Sequence, residues 1–272
     1  METFSLPEIL DQPLFHWSFV LFMGLCLGSF ATALAYRLPR GESILKKTRS
    51  ACPSCDMTLA VRDLVPFFSW AFLGGKCRGC KKPIGWRYPA IELATLTLCA
   101  SFYLVFGLSW PVAILFFLAP VLVAIIAIDF EHKIIPDGLN LSIFLIGAAA
   151  LLAASFQAGN PPEFFTEEGL EGLGGVLAYG LGSLLLRHVC GLILKREPMG
   201  MGDVKFFAAI GFWLGLNPET AAWLMVAAGL TGVVLALLWK KARGEAEFPF
   251  GPALVLAFIG ALLWQKPQFF PI

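Results

Sequence analysis

The stretch PVAILFFLAPVLVAIIAID, residues 111–129, decides the fold of this chain because 18 uncharged residues precede its terminal Asp129. A helix that crosses a bilayer needs about 20 apolar residues. An ionised side chain next to hydrocarbon costs roughly 2–4 kcal/mol on insertion scales. The run therefore predicts a membrane helix, and its carboxylate indicates a functional site.

The rest of the chain has the composition of a membrane protein. It is 58% hydrophobic and 14% charged, whereas soluble domains carry roughly 25% charged residues. The first apolar segment is interpreted as a retained helix and not a signal peptide, because residues 1–14 hold three acidic residues and no Lys or Arg. We predict an all-α polytopic membrane protein with about eight transmembrane helices. The predicted spans are 15–36, 90–107, 111–128, 138–157, 172–192, 203–216, 219–239 and 250–265.

The distribution of basic residues predicts the orientation. Nineteen of the 20 Lys and Arg residues lie on or beside one set of connecting segments, which leaves only Lys266 on the other side. Basic segments face the cytoplasm, so the N-terminus is expected outside. The predicted cytoplasmic segments are 37–89, 129–137, 193–202 and 240–249. An interfacial belt is expected from Trp17, Trp110, Trp213, Trp239 and Trp264.

A second carboxylate follows two glycines in Gly200-Met201-Gly202-Asp203, at the start of the sixth span. The predicted topology brings Asp203 to the same face as Asp129. From Asp203 to Asn217 is about 14 residues or roughly 20 Å of helix, less than a hydrocarbon core of about 30 Å. We therefore expect the Gly-Met-Gly-Asp turn to dip into the membrane and to line a cavity open to the cytoplasm.

Each acidic residue also has a simpler interpretation. Asp203 can act as a helix N-cap, although Asp137 in Pro136-Asp137-Gly138 suits that role better. Asp129 lies at a helix C-terminus, where the macrodipole disfavours a carboxylate, so its simpler role is that of a solvated loop residue. Glu131 and His132 beside it are expected to be solvated.

As a pair, Asp129 and Asp203 indicate acid/base chemistry. Two close carboxylates do not both ionise cheaply, so one keeps a proton while the other deprotonates a water molecule. Such a pair can supply the general base and the general acid of peptide hydrolysis. The flanking Gly200 and Gly202 either let a substrate backbone approach closely or form an ordinary flexible turn.

Two Cys-x-x-Cys motifs in the first connecting segment predict a metal site. Cys52 and Cys55 are separated from Cys77 and Cys80 by 21 residues. Four thiolates at this spacing fit tetrahedral structural zinc, and a reducing cytoplasm disfavours the alternative of two disulfides. A metal would also stabilise a loop too small for a sufficient core. The other cysteines are interpreted as small core residues, namely Cys26, Cys99 and Cys190.

A set of short motifs follows one another along nearly the whole chain. They are Gly28-Ser29-Phe30, Tyr36-Arg37-Leu38-Pro39, the two Cys-x-x-Cys pairs, Arg87-Tyr88-Pro89 with Glu92, Asp129 with Ile135-Pro136-Asp137, Gly200 to Lys205, and Pro249-Phe250-Gly251-Pro252. Together and in this order, these motifs resemble the bacterial type IV prepilin peptidase and N-methyltransferase family. The family usually has Asn where this chain has Thr32.

The resemblance implies a multi-pass enzyme of the bacterial inner membrane with catalytic Asp129 and Asp203, supported by Gly200, Gly202 and Lys205. Its expected substrates are prepilins or pseudopilins, cut on the cytoplasmic side and then N-methylated with S-adenosylmethionine. No residues for that co-substrate are identified, no nucleic-acid partner is expected, and the oligomeric state is left open. The implied parts are a first segment and helix (1–36), a zinc-binding loop domain (37–89) and a seven-helix peptidase domain (90–272).

Two alternatives stay open. One is a leader peptidase of the same Gly-x-Gly-Asp type without methyltransferase activity, against which the four cysteines argue. The other is a proton-coupled transporter that uses Asp129 and Asp203 as an ion relay. The lack of an internal repeat and the position of both acids near one face argue against transport.

Overall fold

A computed structural model describes residues 13–44, 50–52, 54–60, 63, 65–157, 159, 161–195, 197, 199–245 and 247–265. Within these ranges the chain is helical, with two isolated β-bridges and no longer strand. A 3₁₀ turn, Leu38–Arg40, follows the first helix. The helices are α1 (Pro13–Arg37), α2 (Phe68–Phe72), α3 (Arg87–Phe106), α4 (Trp110–Leu115), α5 (Leu118–His132), α6 (Asp137–Gln157), α7 (Pro161–Leu194), α8 (Met201–Leu214), α9 (Pro218–Arg243) and α10 (Gly251–Gln265).

The predicted all-α membrane fold is confirmed. Six helical segments are long and apolar enough to cross a bilayer, so the chain is a multi-pass membrane protein. With 14 and 15 residues, α8 and α10 are shorter than a complete crossing, and the number of eight full spans stays a prediction. The six long segments are Pro13–Arg40, Arg87–Phe106, Trp110–His132, Asp137–Gln157, Thr166–Ile193 and Pro218–Arg243.

Two predicted spans have a different form in the structure. The third is interrupted at Phe116 and Phe117, which separate α4 from α5. Pro120 explains the break, because its ring clashes with the carbonyl of residue 116 in a continuous helix and it has no N–H to donate. The fifth was expected to begin at residue 172, but α7 begins at Pro161, where proline's fixed φ favours the first helical position.

Glycines bring α7 and α8 into backbone contact. A Cβ added at Gly175 would lie 2.1 Å from the carbonyl oxygen of Gly211, and one added at Gly211 would lie 2.4 Å from that of Gly175. Small residues allow this close approach of membrane helices, where packing replaces the hydrophobic drive for association. The contact fixes the position of α8 and hence of Asp203 in its first turn.

A buried tryptophan ties α8 to α6. Trp213 is 1% exposed, and its indole Nε1 donates a hydrogen bond to the Ile143 carbonyl at 3.0 Å. The expected membrane-interface position of Trp213 is therefore wrong. Gly147 provides the space for the indole, since a Cβ there would lie 2.9 Å from Nε1. The indole N–H of Trp213 is thus hydrogen-bonded to a backbone carbonyl although it is buried in the bundle.

Candidate active site and metal centre

Asp129 lies in the last turn of α5 and is 4% exposed. Its Oδ2 accepts a hydrogen bond from the backbone N–H of Gly251 at 2.8 Å. Gly251 is the first residue of α10, so the carboxylate lies at the positive end of that helix. The unfavourable burial of the Asp129 carboxylate at the C-terminus of α5 is thus offset by the N-terminus of α10. The interpretation of Asp129 as a solvated loop residue is therefore wrong.

The lack of a side chain at Gly251 lets its backbone pack directly against the Asp129 carboxylate. A Cβ at this position would lie 2.8 Å from Asp129 Oδ2 and 3.0 Å from its Cγ. Sequence reasoning missed this residue as part of the site, although the Pro249-Phe250-Gly251-Pro252 motif contains a glycine between prolines. The missing signal was the long-range contact, because nothing near Gly251 in the sequence points to residue 129.

A polar clamp holds the connection between α9 and α10 against the end of α5. Lys133 pairs with Glu245 at 3.0 Å, and Trp239 Nε1 donates to the same carboxylate oxygen at 3.3 Å. The hydrogen bond from Lys133 and that from Trp239 hold the pKa of Glu245 below its usual range. Phe130 stacks on Trp239 with ring centroids 6.1 Å apart. These contacts place Gly251 beside Asp129.

Asp203 is the third residue of α8, not its N-cap. Its Oδ2 accepts a hydrogen bond from the backbone N–H of Gly200 at 3.2 Å, which satisfies a donor at the start of the helix. The helix begins at Met201, so the Gly-Met-Gly-Asp segment, which was expected to be a non-helical turn, is largely helical instead. Gly200 has φ −66° and ψ 154°, a conformation that any residue adopts, so it does not form a glycine-dependent flexible turn.

Gly202 fits closely against the connection between α5 and α6. A Cβ at Gly202 would lie 3.2 Å from both the Cβ and the carbonyl oxygen of Ile135. Asn140, 4% exposed on α6, donates from Nδ2 to the Gly202 carbonyl at 3.1 Å. The glycine is therefore used for packing within the chain, and Asn140 is a second site residue that sequence reasoning missed.

These contacts bring the two predicted aspartates together. Asp129 and Asp203 interact electrostatically across the space between α5 and α8. Each has one carboxylate oxygen fixed by a backbone N–H. Paired carboxylates in this arrangement can share a proton, with one acting as base toward water and the other as acid.

The remaining polar residues near the pair have partners of their own. Lys205 Nζ lies 2.6 Å from Asp137 Oδ2, which links α8 to the first residue of α6. Glu131 is exposed, as expected, and also pairs with Arg87 at the start of α3. His132 lies 3.9 Å from Glu131 and is 38% exposed. Among the described contacts, neither Lys205 nor His132 reaches the two catalytic candidates.

The four motif cysteines converge in two matching turns. The bridges Ala51–Thr58 and Lys76–Pro83 flank the two motifs. In the first turn Cys52 N–H donates to Met57 O, and in the second Cys77 N–H donates to Lys82 O. The chain reverses after each motif through a left-handed residue, which is Asp56 in the first turn and Lys81 in the second. We call residues 50–85 the knuckle module.

The sulfur positions fit a tetrahedral metal site. All four Sγ atoms lie within 4.8 Å of one another. Cys52 Sγ lies 3.9 Å from Cys80 Sγ, and Cys55 Sγ lies 4.0 Å from Cys77 Sγ. Zinc–sulfur bonds of about 2.3 Å in a tetrahedron give sulfur separations of about 3.8 Å. The backbone N–H of Cys80 helps to lower the pKa of the Cys77 thiol to about 7, whereas burial and hydrogen bonds with the other three thiols raise the pKa of Cys55 to about 11. Within the cluster, Cys77 is therefore the thiol that most readily becomes a thiolate.

Two family models cover most of the chain. The Bacterial Peptidase A24 N-terminal domain matches residues 22–106, and the Type IV leader peptidase family matches residues 116–241. The type 4 prepilin-like proteins leader peptide-processing enzyme of Escherichia coli O78:H11 (strain H10407) is 32% identical over 89% of this chain and 91% of its own length. The chain belongs to the type IV leader peptidase family.

Other members of this family are nearly as similar. The prepilin leader peptidase/N-methyltransferase of Pseudomonas aeruginosa is 30% identical over 95% of this chain and 94% of its own length. The protein of the same name from Aeromonas hydrophila is 30% identical over 93% of this chain and 92% of its own length. No solved structure matches the chain at a significant level.

Within this leader peptidase, the remaining cysteines differ in their surroundings. Cys99 is fully buried, as expected for a small core residue. Cys26 is exposed, so the expectation of a core position is wrong for this residue. The exposure of Cys190 is intermediate between that of Cys99 and that of Cys26. At the position where the family usually has Asn, Thr32 donates its hydroxyl to the Gly28 carbonyl one turn earlier at 3.2 Å.

Proposed function

We propose that this chain is a membrane-embedded aspartic endopeptidase that removes the basic leader of type IV prepilins or pseudopilins and N-methylates the new N-terminus. The observation that carries the proposal is the convergence of Asp129 and Asp203 from α5 and α8, each with one oxygen fixed by a backbone N–H. Family membership and the names of the relatives support the substrate class.

In the proposed cleavage, one aspartate takes a proton from water and the other, protonated, polarises the scissile carbonyl. The hydroxide equivalent attacks that carbonyl, and the protonated aspartate then donates to the leaving amine. No covalent intermediate is needed. Gly251 and Gly200 hold one oxygen of each carboxylate, so the second oxygen is the one available for proton transfer.

We propose an inner-membrane location with the aspartate pair facing the cytoplasm and the N-terminus periplasmic. The support comes from the basic residues, which concentrate on the segments that adjoin the aspartates and the knuckle module. A leader that is itself basic would stay on that side, where the scissile bond would meet Asp129 and Asp203.

We propose that the knuckle module holds structural zinc through Cys52, Cys55, Cys77 and Cys80. Four thiolates complete the coordination of a tetrahedral ion and leave no position for water. The ion would stabilise a segment with little core of its own. S-adenosylmethionine is the proposed co-substrate for methylation, in line with the N-methyltransferase names of the relatives.

Mass spectrometry of a prepilin co-expressed with this chain tests the proposal. We expect loss of the leader mass together with a gain of one methyl group at the new N-terminus. Cleavage without the added methyl would favour a leader peptidase alone. An uncleaved prepilin, with the enzyme shown to be inserted and metal-loaded, would contradict the peptidase assignment and reopen the ion-relay alternative.

A further inference from the structure

A cavity of about 450 Å³ lies between the knuckle module and the adjoining ends of α1 and α3. Pockets that bind organic ligands usually have volumes of about 300–1,000 Å³. The cavity is separate from the aspartate pair, since neither Asp129 nor Asp203 lines it. Cys52 and Cys77 form part of its wall, so the metal site and the cavity share a support.

The described part of the wall has the chemistry of a site for an organic cation that carries an acidic group of its own. Its aromatic side chains are those of Tyr36, Trp70 and Tyr88, and the carboxylate of Glu92 also lines it. Aromatic rings and carboxylates are the two groups that attract a cation that is itself partly apolar. The lining further includes three other carboxylates and three basic side chains, namely Glu42, Asp56, Asp63, Arg37, Arg78 and Lys82, of which Asp63 and Arg78 form an ion pair.

Glu92 is held in place by the segment that closes the cavity. Its Oε2 accepts a hydrogen bond from the backbone N–H of Phe67 at 2.7 Å. Phe67 has φ 58°, a left-handed conformation that is strained for a bulky residue and persists only where its surroundings fix it. Trp70 is fixed in turn, because its Nε1 donates to the Ile84 carbonyl at 2.9 Å. The cavity wall is therefore built by specific contacts.

We propose that this cavity binds the methyl donor S-adenosylmethionine and that the Glu92 carboxylate provides the negative charge for its sulfonium. This inference rests on the proposed function, in which the same chain methylates the new N-terminus. The donor carries a cationic sulfonium, an aromatic base and a carboxylate of its own, which match the aromatic wall, the fixed Glu92 carboxylate and the basic residues of the lining.

The reaction at this site is a direct transfer. The lone pair of the neutral α-amine forms a bond to the methyl carbon while the carbon–sulfur bond breaks and its electron pair stays on sulfur. The products are a neutral thioether and a methylated ammonium, which then loses a proton to water. Sulfur loses its positive charge in this step. A carboxylate beside the sulfonium therefore favours binding of the donor over binding of the thioether product.

Arg87 connects this cavity to the aspartate site. Its side chain pairs with Glu131, two residues beyond Asp129, and donates to the Ala35 carbonyl at the end of α1. The next residue, Tyr88, lines the cavity. The cavity and the aspartate site are therefore linked through the ends of α1, α3 and α5.

Calorimetric titration of the purified, zinc-loaded full chain tests the assignment with two probes, S-adenosylmethionine and its uncharged product S-adenosylhomocysteine. The variant is Glu92→Gln, whose amide oxygen still accepts from Phe67 N–H. Glu219→Gln, exposed at the start of α9, is the matched control. We expect Glu92→Gln to weaken the binding of S-adenosylmethionine about tenfold, because the sulfonium loses a partly buried opposite charge. The binding of S-adenosylhomocysteine, an uncharged thioether, should weaken by less than about twofold.

Equal weakening of both compounds, or no change in either, would overturn the assignment, provided that zinc content and thermal unfolding match the parent. The assignment would also be overturned if the parent enzyme cleaves and methylates prepilin while Glu92→Gln and Glu219→Gln bind the donor with equal affinity. If the parent binds both compounds with the expected dependence on Glu92 yet adds no methyl group to cleaved pilin, the cavity assignment stands and the proposed methyltransferase function fails.

Discussion

The knuckle module and the aspartate site are built in opposite ways. In the module, residues 52–80 contribute all four sulfurs, and short backbone hydrogen bonds within each turn position them. In the aspartate site, Asp129, Asp203 and Gly251 come from three helices that are distant in sequence. The module depends on local turns and on the proposed metal, whereas the aspartates depend on helix packing. The two sites should therefore fail independently.

The largest effect is expected from removing the proton chemistry of the aspartates. Asp129→Asn or Asp203→Asn keeps the shape of the side chain but cannot act as acid or base, so cleavage should fall by about 10²–10⁴-fold or more. Rates of leader removal from a purified prepilin measure the loss. Insertion and zinc content should match the parent enzyme, and near-parental cleavage by either variant would refute the paired assignment.

A slightly smaller effect is expected from disturbing the packing behind Asp129. Gly251→Ala keeps the backbone N–H but places a methyl group 2.8 Å from Asp129 Oδ2. Displacement of a catalytic group by a fraction of an ångström costs up to about 10²-fold in rate. The same cleavage assay applies, with Gly229→Ala on α9 as control, because a Cβ there meets nothing within 4 Å. Equal activity of the two variants would show that the Gly251 contact does not position Asp129.

The smallest effect is expected at Asp137, which adjoins the site but lies outside its chemistry. Its ion pair with Lys205 is solvent-exposed, with side chains 71% and 46% exposed, and exposed pairs contribute about 0–1 kcal/mol. Asp137 is the first residue of α6 and not its predicted N-cap, so Asn would lose only the interaction of a charge with the helix N-terminus, about 0.3–1 kcal/mol. Cleavage by Asp137→Asn should stay within about twofold of the parent, and a loss comparable to that of Asp203→Asn would assign Asp137 a catalytic role.

The sequence predicted those parts of the molecule that follow from local patterns. Apolar runs located the helices, and the cysteine spacing identified the four thiols that converge in the structure. The two carboxylates were identified because charge near hydrocarbon is costly. Topology then placed Asp129 and Asp203 at one end of the bundle.

Long-range contacts were beyond the reach of such patterns. The Gly251 N–H to Asp129 and the Asn140 amide to Gly202 join segments that only the packed bundle brings together. The extent of α7 and the burial of Trp213 were mispredicted for a related reason. Hydropathy describes the preference of a segment for lipid, but it does not show where a helix starts or which face contacts a neighbour.

A paired assay measures whether the knuckle module and the aspartate site are separable. Purified Cys52→Ser and Asp203→Asn each receive a full-length prepilin and a pre-cleaved pilin, with labelled S-adenosylmethionine, and leader removal and label incorporation are scored separately. Cys190→Ser controls for loss of a thiol outside the module.

With one ligand removed, Cys52→Ser should lose metal and loosen the module, and with it the proposed donor cavity, while the helical bundle persists. We predict that this variant cleaves prepilin but methylates poorly, and that Asp203→Asn methylates pre-cleaved pilin but does not cleave. Equal loss of both activities in Cys52→Ser, with lowered zinc content confirmed, would show that the module supports the whole enzyme and would contradict the account.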